Sequence, residues 1–546
     1  MERPTTYGGE SELLLINRDS GKLVPMSKDM QSCAQDTVSD HLDMRGAPVD
    51  VGYDSSTHLI EIGGGVWDSL PGVVTALQNG VIATQQEANR NGDSLLSASH
   101  HPVDNIQEAY DNGVLPKGLY DILRGPHNDT LRIHAAVLST IYPEEPETGR
   151  RWKHEVGTMA ASAQPWTSLE LDTAAEQIAA LQATGWMMNL LTANGPYAEG
   201  MDTGKRDYRL EMWGPKGIMS TSKHEGDRNL TENIPIQPDS LSTYYNYVWG
   251  NQRPMVIPVQ QAEGIDSQYK TKFMAVVQPP EAEEFNVLTY LSADSIQAID
   301  IETGEQMNIK PSIAHVVNGF DFLYFPRYGA RLRMNLPKAD EIDSKEVANA
   351  VQQGDEETFK QLLKAGGIED GGFLCAEGRV AATVLPTEDN PHWNRFNLPF
   401  VLQTAIARSH KDVMDVMMNT HALEWKDLAY TLPELTNDAA HGFNATLKNS
   451  KGKTVQAADL AAEIWNVASK SLLPEELDLV EDEIEAMVAK RQGPAEEQKE
   501  YVMKQLQSES IMAIALLGLV ERQSMVLPYK NSNSAQNYNY QYNEQI

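Results

Sequence analysis

The sequence predicts an α+β fold, and two observations support that prediction. In the first 380 residues, short apolar segments with strand-like alternation are separated by turn residues. From about residue 396 to residue 525 the apolar residues follow helical spacing, which predicts a helical C-terminal part. Because several strand-like segments carry acidic residues or arginines, we expect helices to back a sheet that presents charged side chains.

The first predicted strand, residues 8–16, carries two glutamates in an otherwise apolar run. Side chains alternate between the two faces of a strand, so Glu10 and Glu12 point the same way, beside Leu14 and Ile16. Two buried carboxylates on one face are costly unless a cation or other partners neutralise them. Considered alone, the stretch is more typical of a solvated edge strand, and a cation-binding strand is the alternative.

The next elements follow from periodicity and from turn residues. The opening strand is predicted to turn at residues 17–22 and to return at residues 23–25, and residues 30–50 are predicted to be a loop. Further strands are predicted at residues 58–62 (closed by a turn at glycines 63–65), 131–138, 208–213 and 371–380. Helices are predicted at residues 67–92 and 167–191, with a helical insertion at residues 337–370. The last residues, 526–546, are rich in Asn, Gln and Tyr without a core pattern, which predicts disorder.

Composition and charge limit the classes of partner. The chain has 546 residues and a formal net charge of -33, and such a charge repels nucleic acid and anionic membranes. The two cysteines, Cys33 and Cys375, have no disulfide or metal-ligand spacing, and no apolar run is long enough to span a bilayer. The N-terminal residues do not have the pattern of a signal peptide. We therefore expect a cytoplasmic protein that binds small molecules, and neither nucleic acid nor membrane.

Acidic residues, one histidine and several arginines occupy the strand-like segments. The acids are Glu10, Glu12, Asp54, Glu61 and Glu377, the histidine is His134, and the arginines are Arg209, Arg331, Arg333 and Arg379. Carboxylates and an imidazole suit Mg²⁺ or Mn²⁺, and guanidinium groups suit phosphates and carboxylates. Each of these residues taken singly is more typical of the protein surface. Together they indicate a metal-and-phosphate site for phosphoryl transfer to a carboxylate.

The order of these residues resembles the glutamate–cysteine ligase family, one of the carboxylate–amine ligases with a glutamine-synthetase-like fold. The segments that carry the resemblance are Gly8-x-Glu10-x-Glu12, Asp54 with Glu61, residues 99–102, 190–209 and 325–332, Glu377-x-Arg379, and residues 441–442 with 452–455. The most specific is residues 190–209, which contains Ala193-Asn194-Gly195-Pro196 and ends in Tyr208-Arg209. Gly195, where the family has Ser, and the insertion before Glu377 are departures from the family pattern.

The resemblance implies a mostly antiparallel curved sheet backed by helices, in a single catalytic ligase domain over residues 1–525. It implies Mg²⁺ (or Mn²⁺) and ATP, with the metal ligands Glu10, Glu12, Asp54, Glu61, His134 and Glu377. Arg209, Tyr208 and Asn194 are implied at the substrate, and Arg379 and Arg331 at the transferred phosphoryl group.

The implied reaction forms an amide between the γ-carboxylate of glutamate and the amine of cysteine through an acyl phosphate, the first step of glutathione synthesis. Three alternatives stay open at the level of sequence. They are a related ligase with another amine substrate, a guanidino-type kinase on the same fold, and a non-enzymatic acidic scaffold that binds cations. A homodimer is also left open.

Overall fold

A computed structural model describes residues 5–54, 56–105, 159–214, 229–254, 256–263, 268–277, 279, 285–300, 303–317, 324, 326–509 and 511–527. His134, the predicted strand at residues 131–138 and residues 528–546 of the predicted tail lie outside this part of the chain.

Strands and helices alternate through the first two-thirds of the described chain, and helices dominate the last third. The strands are β1 (Tyr7–Asn17), β2 (Asp50–Tyr53), β3 (Leu59–Trp67), β4 (Asp93–Leu96), β5 (Ala163–Ser168), β6 (Tyr197–Ala198), β7 (Met201–Asp202), β8 (Val256–Glu263), β9 (Gln268–Val276), β10 (Ile296–Asp300), β11 (Gln306–Ile309), β12 (Ala330–Asn335), β13 (Phe373–Gly378), β14 (Thr446–Lys448) and β15 (Thr454–Gln456). The α-helices are α1 (Lys28–Val38), α2 (Leu70–Arg90), α3 (Ala174–Ala183), α4 (Gly185–Thr192), α5 (Tyr208–Trp213), α6 (Leu241–Asn251), α7 (Val287–Ser292), α8 (Ile313–Val317), α9 (Ser344–Gln353), α10 (Glu356–Ala365), α11 (Asn394–Arg408), α12 (His410–Met414), α13 (Leu432–Asn437), α14 (Ala457–Ala468), α15 (Pro474–Leu477), α16 (Glu483–Lys490), α17 (Pro494–Glu509) and α18 (Met512–Arg522).

The largest sheet has seven strands in the order β12-β13-β5-β1-β3-β2, with β4 also paired to β1. Its pairs are antiparallel. β1 pairs with β3 along one side, while β5 and β4 pair with its first and second halves on the other. The predicted α+β fold, with a large antiparallel sheet and a helical C-terminal part, is confirmed.

The two faces of β1 differ as its alternating sequence predicts. Leu13 and Leu15 join the main hydrophobic core, whereas Leu14 and Ile16 join a second cluster together with Val520 of α18. The core face is packed tightly against helices, because a Cβ added at Gly9 would lie 2.4 Å from a ring carbon of Phe400 in α11. Glu10 and Glu12 therefore lie on the face opposite the helices that cover Gly9.

Two sequence predictions near the N-terminus are wrong. Residues 30–50 were expected to be a loop, but they contain most of α1, whose start is capped by the Ser27 side chain accepting a hydrogen bond from the Met30 N–H. Glycines 63–65 were expected to form a turn, but they lie inside β3. A Cβ added at Gly64 would meet Leu77 at 2.9 Å, so the close approach of α2 explains a glycine there.

Two further predictions fail near residue 200. Residues 208–213 form α5 and not a strand, because Asp207 caps the helix by accepting from the Arg209 N–H. The single helix expected at residues 167–191 is instead the end of β5 followed by α3 and α4, which are separated at Thr184.

The predicted helical insertion, residues 337–370, forms α9 and α10 and connects β12 to β13. These two strands are direct antiparallel neighbours, with Arg331 opposite Glu377. The insertion therefore separates the two segments in sequence but not in space. Three of its apolar residues, Val347, Phe359 and Leu363, are fully buried in the main core.

Gly185 at the start of α4 is the position where the packing tolerates a side chain least. A Cβ there would lie 1.8 Å from the carbonyl oxygen of Tyr328, whereas a Cβ at Gly250 in α6 would meet its nearest atom at 4.0 Å. We expect Gly185→Ala to lower the free energy of unfolding by about 3 kcal/mol, because a backbone atom must move. Gly250→Ala, the matched control, should leave stability equal or slightly higher. Denaturant unfolding measures both, and equal stability of the two variants would contradict this packing.

Candidate active site

Three carboxylates converge at the edge between β1, β3 and the end of β2. Glu12 of β1 lies directly opposite Glu61 of β3, and Asp54 follows β2, whose Gly52 pairs with Glu61. The ligand oxygens of Glu12, Asp54 and Glu61 all lie within 4.8 Å of one another. Three carboxylate oxygens at this spacing suit a hard divalent cation such as Mg²⁺.

Glu12 is held by donors from the neighbouring chain segment. Its Oε2 accepts hydrogen bonds from the Ser162 N–H at 2.8 Å and from the Ser162 hydroxyl at 2.7 Å. Its Oε1 accepts from the Gln164 amide at 2.8 Å. Burial and the nearby Asp54 raise the pKa of Glu12 to about 7, against the opposing effect of the Ser162 hydrogen bond.

Glu10 lies two residues earlier on the same face of β1, between the acidic group and a cluster of arginines. Burial raises the pKa of Glu10 to about 7, and the neighbouring Glu377 adds to the rise, while Arg379 and Arg333 oppose it. Glu10 and Glu12 therefore form a pair of acids that a bound cation would stabilise in the ionised form.

Glu377 of β13 is buried at the centre of the arginine cluster. Arg331 binds it with two hydrogen bonds, at 2.9 and 2.8 Å, and Arg333 and Arg379 bind it at 3.0 and 2.9 Å. Burial opposes ionisation, but the three guanidinium groups together hold the pKa of Glu377 well below its usual range. Burial also lowers the pKa of Arg331 to about 10. Three cations around one anion leave a positive excess that suits a phosphate group.

The acidic group and the arginine cluster meet at Gln164 of β5. Its amide donates to Glu12 and accepts from Arg379 at 2.5 Å. The arrangement thus brings possible cation ligands and guanidinium groups of a kind that suits phosphate together on one face of the sheet. Such a pairing can neutralise the charge of a nucleotide and of a phosphoryl group in transfer.

Of the predicted substrate residues, Arg209 contacts the site, and the contacts of Asn194 are with backbone groups elsewhere. Arg209 is buried and donates to the carbonyl oxygens of Arg379 and Val380 at 3.2 and 2.6 Å, and its charge lowers the pKa of Glu12. Asn194 accepts from the Ser99 N–H and donates to the Thr383 carbonyl, both at 2.8 Å.

The ring of Tyr208, the third predicted substrate residue, packs edge-on against the ring of His100 at a centroid distance of 5.6 Å. In the described part of the chain, Arg209 thus fixes the backbone beside Arg379, and Asn194 uses its amide to hold backbone groups.

The sequence prediction missed the strand that links the two halves of the site. Ser162, Gln164 and Trp166 share one face of β5 and its entry, beside Glu12, Glu10 and Glu377. The period-two order of polar and small residues was a usable signal there. Pro165 argues against a central strand, however, because proline cannot donate to the hydrogen-bond ladder.

Comparison with known proteins bears on the identity of this fold. The segments that carry the sequence resemblance lie partly within the first 249 residues, up to Tyr208-Arg209, and partly after residue 324. Residues 6–249 of the chain match the family described as glutamate-cysteine ligase family 2 (GCS2). The resemblance to glutamate–cysteine ligases is therefore confirmed. No curated protein matches the chain in sequence.

One solved structure shows the same fold beyond the matched residues, and two others are similar at lower TM-scores. A glutamate–cysteine ligase from Francisella tularensis, solved in complex with AMP, is 12% identical with a TM-score of 0.50, over 95% of this chain and 88% of that one. A bifunctional glutathione synthetase from Pasteurella multocida is 10% identical over 95% and 52% of the two chains, with a TM-score of 0.41. The ligase PafA, solved with the ubiquitin-like protein Pup, is 9% identical over 95% and 73%, with a TM-score of 0.36. The first of these shows a glutamate–cysteine ligase fold for this chain.

A membrane-spanning helix is not found in the described residues, where each helix is either too short or too polar to cross a bilayer.

The raised pKa values of Glu10 and Glu12 predict how Mg²⁺ changes stability with pH. An acid whose pKa is raised by folding contributes stability at low pH that is lost as pH rises through the folded value, here about 7. Mg²⁺ held by these carboxylates in their ionised form would offset that loss. We expect Mg²⁺ to raise the melting temperature more at about pH 8 than at about pH 6, as measured by differential scanning calorimetry. Glu12→Gln is the control and should respond little to Mg²⁺ at either pH, whereas a Mg²⁺ response independent of pH would contradict the assignment.

Proposed function

We propose that the protein is an ATP- and Mg²⁺-dependent ligase that joins the γ-carboxylate of glutamate to the amine of cysteine. The observation that carries the proposal is the contact, through Gln164, between the carboxylates of Glu12, Asp54 and Glu61 and the arginines around Glu377. The family match supports a ligase, and the neighbour solved with AMP supports a nucleotide substrate.

The residues divide the proposed work by charge. Glu12, Asp54 and Glu61, with Glu10 beside them, would hold Mg²⁺, and the ion would supply positive charge to neutralise nucleotide phosphates. His134 as a further ligand stays a prediction, since it lies outside the described residues.

Arg379 and Arg333 are the partly accessible guanidinium groups of the cluster, with side chains 16% and 26% exposed. They would bind the transferred phosphoryl group, while the fully buried Arg331 holds Glu377 in place. The assignment of Glu377 as a metal ligand stays a prediction, because its three arginine partners support equally well a role in orienting them.

The proposed reaction uses no covalent bond to the protein. The glutamate γ-carboxylate attacks the terminal phosphorus of ATP and releases ADP, giving an acyl phosphate. The amine then attacks the acyl carbon, loses a proton and releases phosphate. The contribution of the chain is to position the reactants and to stabilise the phosphoryl charge, which suits a site built of fixed carboxylates and guanidinium groups.

The alternatives are weighed by the same geometry. A non-enzymatic acidic scaffold would not bring its acids together, yet Glu12, Asp54 and Glu61 converge beside phosphate-binding arginines. A related ligase with another amine, or a guanidino-type kinase, would use the same charged site. Cysteine as the amine, a role in glutathione synthesis, a cytoplasmic location and a homodimer belong to the proposal.

A turnover assay tests the proposal. With ATP, Mg²⁺ and glutamate, ADP release should require an amine, and cysteine should be the best of a panel of amino acids and small amines. Glu12→Gln keeps the shape of the side chain but removes the charge, so we expect it to lower kcat at least about a hundredfold. ADP release that is independent of both glutamate and an amine would contradict the proposal.

Arg379→Met tests the role of the arginine cluster. Loss of one preorganised donor to the transferred group should lower kcat by about a hundredfold or more. The matched control is Arg395→Met in α11, which removes an arginine that binds two glutamates, Glu483 and Glu497, outside the arginine cluster. The control should lose stability but retain turnover when assayed well below its melting temperature. Equal losses of kcat in the two variants would show that Arg379 acts only through stability.

A further inference from the structure

We infer that Gln164 is a positioning residue that holds Glu12 ready for the cation and ties it to Arg379. The inference rests on the metal site of the proposed function and deepens it, because it names the side chain that connects the metal side of the site to its phosphate side. The geometry around the carboxylate of Glu12 carries the argument.

Counting donors from the described residues alone, the hydrogen bonds to Glu12 leave one acceptor position on its carboxylate. An ionised carboxylate offers about four lone-pair positions, two on each oxygen. Ser162 fills both positions of Oε2 through its N–H and its hydroxyl, and Gln164 fills one position of Oε1. The position that remains is on Oε1, so Glu12 is set to bind a cation through a single oxygen.

The orientation of the Gln164 amide follows from its partners. A carboxylate only accepts and a guanidinium only donates, so Nε2 must face Glu12 and Oε1 must face Arg379. The side chain is 3% exposed, which leaves it no solvent to replace either partner. Nε2 also donates to the Ser162 hydroxyl oxygen at 3.3 Å, and rotation of this amide would break the hydrogen bonds to Glu12 and Arg379 at once, so the two halves of the site are fixed together.

The place of Gln164 in the sheet explains why this contact is rigid. β5 lies between β1 and β13, with Gln164 opposite Glu10 and Trp166 opposite Glu377. On the opposite face of the same strand, Gln403 of α11 donates to the Pro165 carbonyl at 2.7 Å. The strand is thus held by one buried glutamine on each face, and only Gln164 faces the acidic group.

Variants of these two glutamines test the inference with the metal alone. The probe is Mg²⁺ added to the full chain without nucleotide, and its affinity is measured by isothermal titration calorimetry. Gln164→Met keeps the length of the side chain but removes both hydrogen bonds, so the Mg²⁺ affinity should fall about tenfold to a hundredfold. The matched control Gln403→Met removes a buried amide from the same strand and should bind Mg²⁺ as the wild type does.

A milder variant keeps the test decisive if Gln164→Met does not fold. Gln164→Asn keeps a polar amide at this position, but its side chain is one methylene shorter and cannot reach Glu12 and Arg379 together, so it should lower the Mg²⁺ affinity by a smaller factor than Gln164→Met. Wild-type affinity in the folded Gln164→Met, or in Gln164→Asn if only that variant folds, would overturn the inference. An equal loss in Gln403→Met would do the same, because it would show that strand stability alone sets the affinity.

Turnover separates this inference from the proposed function. If the wild type releases ADP, Gln164→Met should lower kcat while Gln403→Met retains it. If the wild type shows no ligase turnover, the proposed function is wrong, and the Mg²⁺ titration still decides the role of Gln164.

Discussion

The carboxylate of Glu12 is the constraint on which the rest of the site depends. It is buried in the middle of the sheet, within reach of two other carboxylates, and its exposed fraction is only 9%. Negative charge in such a place is unfavourable unless donors or a cation compensate it. Ser162 and Gln164 supply the donors. The nearby carboxylates of Asp54 and Glu61 add negative charge that a divalent cation would neutralise.

The pairing of β1 with strands on both of its sides makes this site possible. β3 brings Glu61 to one side of Glu12, and β5 brings Ser162 and Gln164 to the other. Beyond β5, β13 and β12 add Glu377 with its arginines. The same face thus changes from acidic to basic across neighbouring strands. Neighbouring strands lie about 4.8 Å apart, a distance that lets a phosphate group lie between a cation and the guanidinium groups.

The sequence predicted the parts of this arrangement that depend on local pattern. Alternation along β1 placed Glu10 and Glu12 on one face, and the strand-like segments singled out Asp54, Glu61 and Glu377, to which the resemblance added the role of metal ligands. The sequence did not predict β5, because Pro165 has no N–H for the hydrogen-bond ladder and is a poor central-strand residue. The contact of Gln403 with the Pro165 carbonyl joins residues that are far apart in the sequence. The sequence also did not predict that Gly63 to Gly65 continue a strand, in which the close approach of α2 explains the glycine at position 64. The contacts of Pro165 and of the β3 glycines join segments that are distant in the sequence. The local periodicity of the sequence carries no information about such contacts.

The central claim is that a divalent cation binds between Glu12, Asp54 and Glu61. Anomalous scattering from a crystal soaked in Mn²⁺ measures this most directly, because Mn²⁺ takes the same oxygen ligands and identifies itself by its absorption edge. The account predicts an anomalous peak about 2.1 Å from one oxygen of each of the three carboxylates. A fully occupied Mn²⁺ elsewhere on the chain, with no peak at this group, would contradict it.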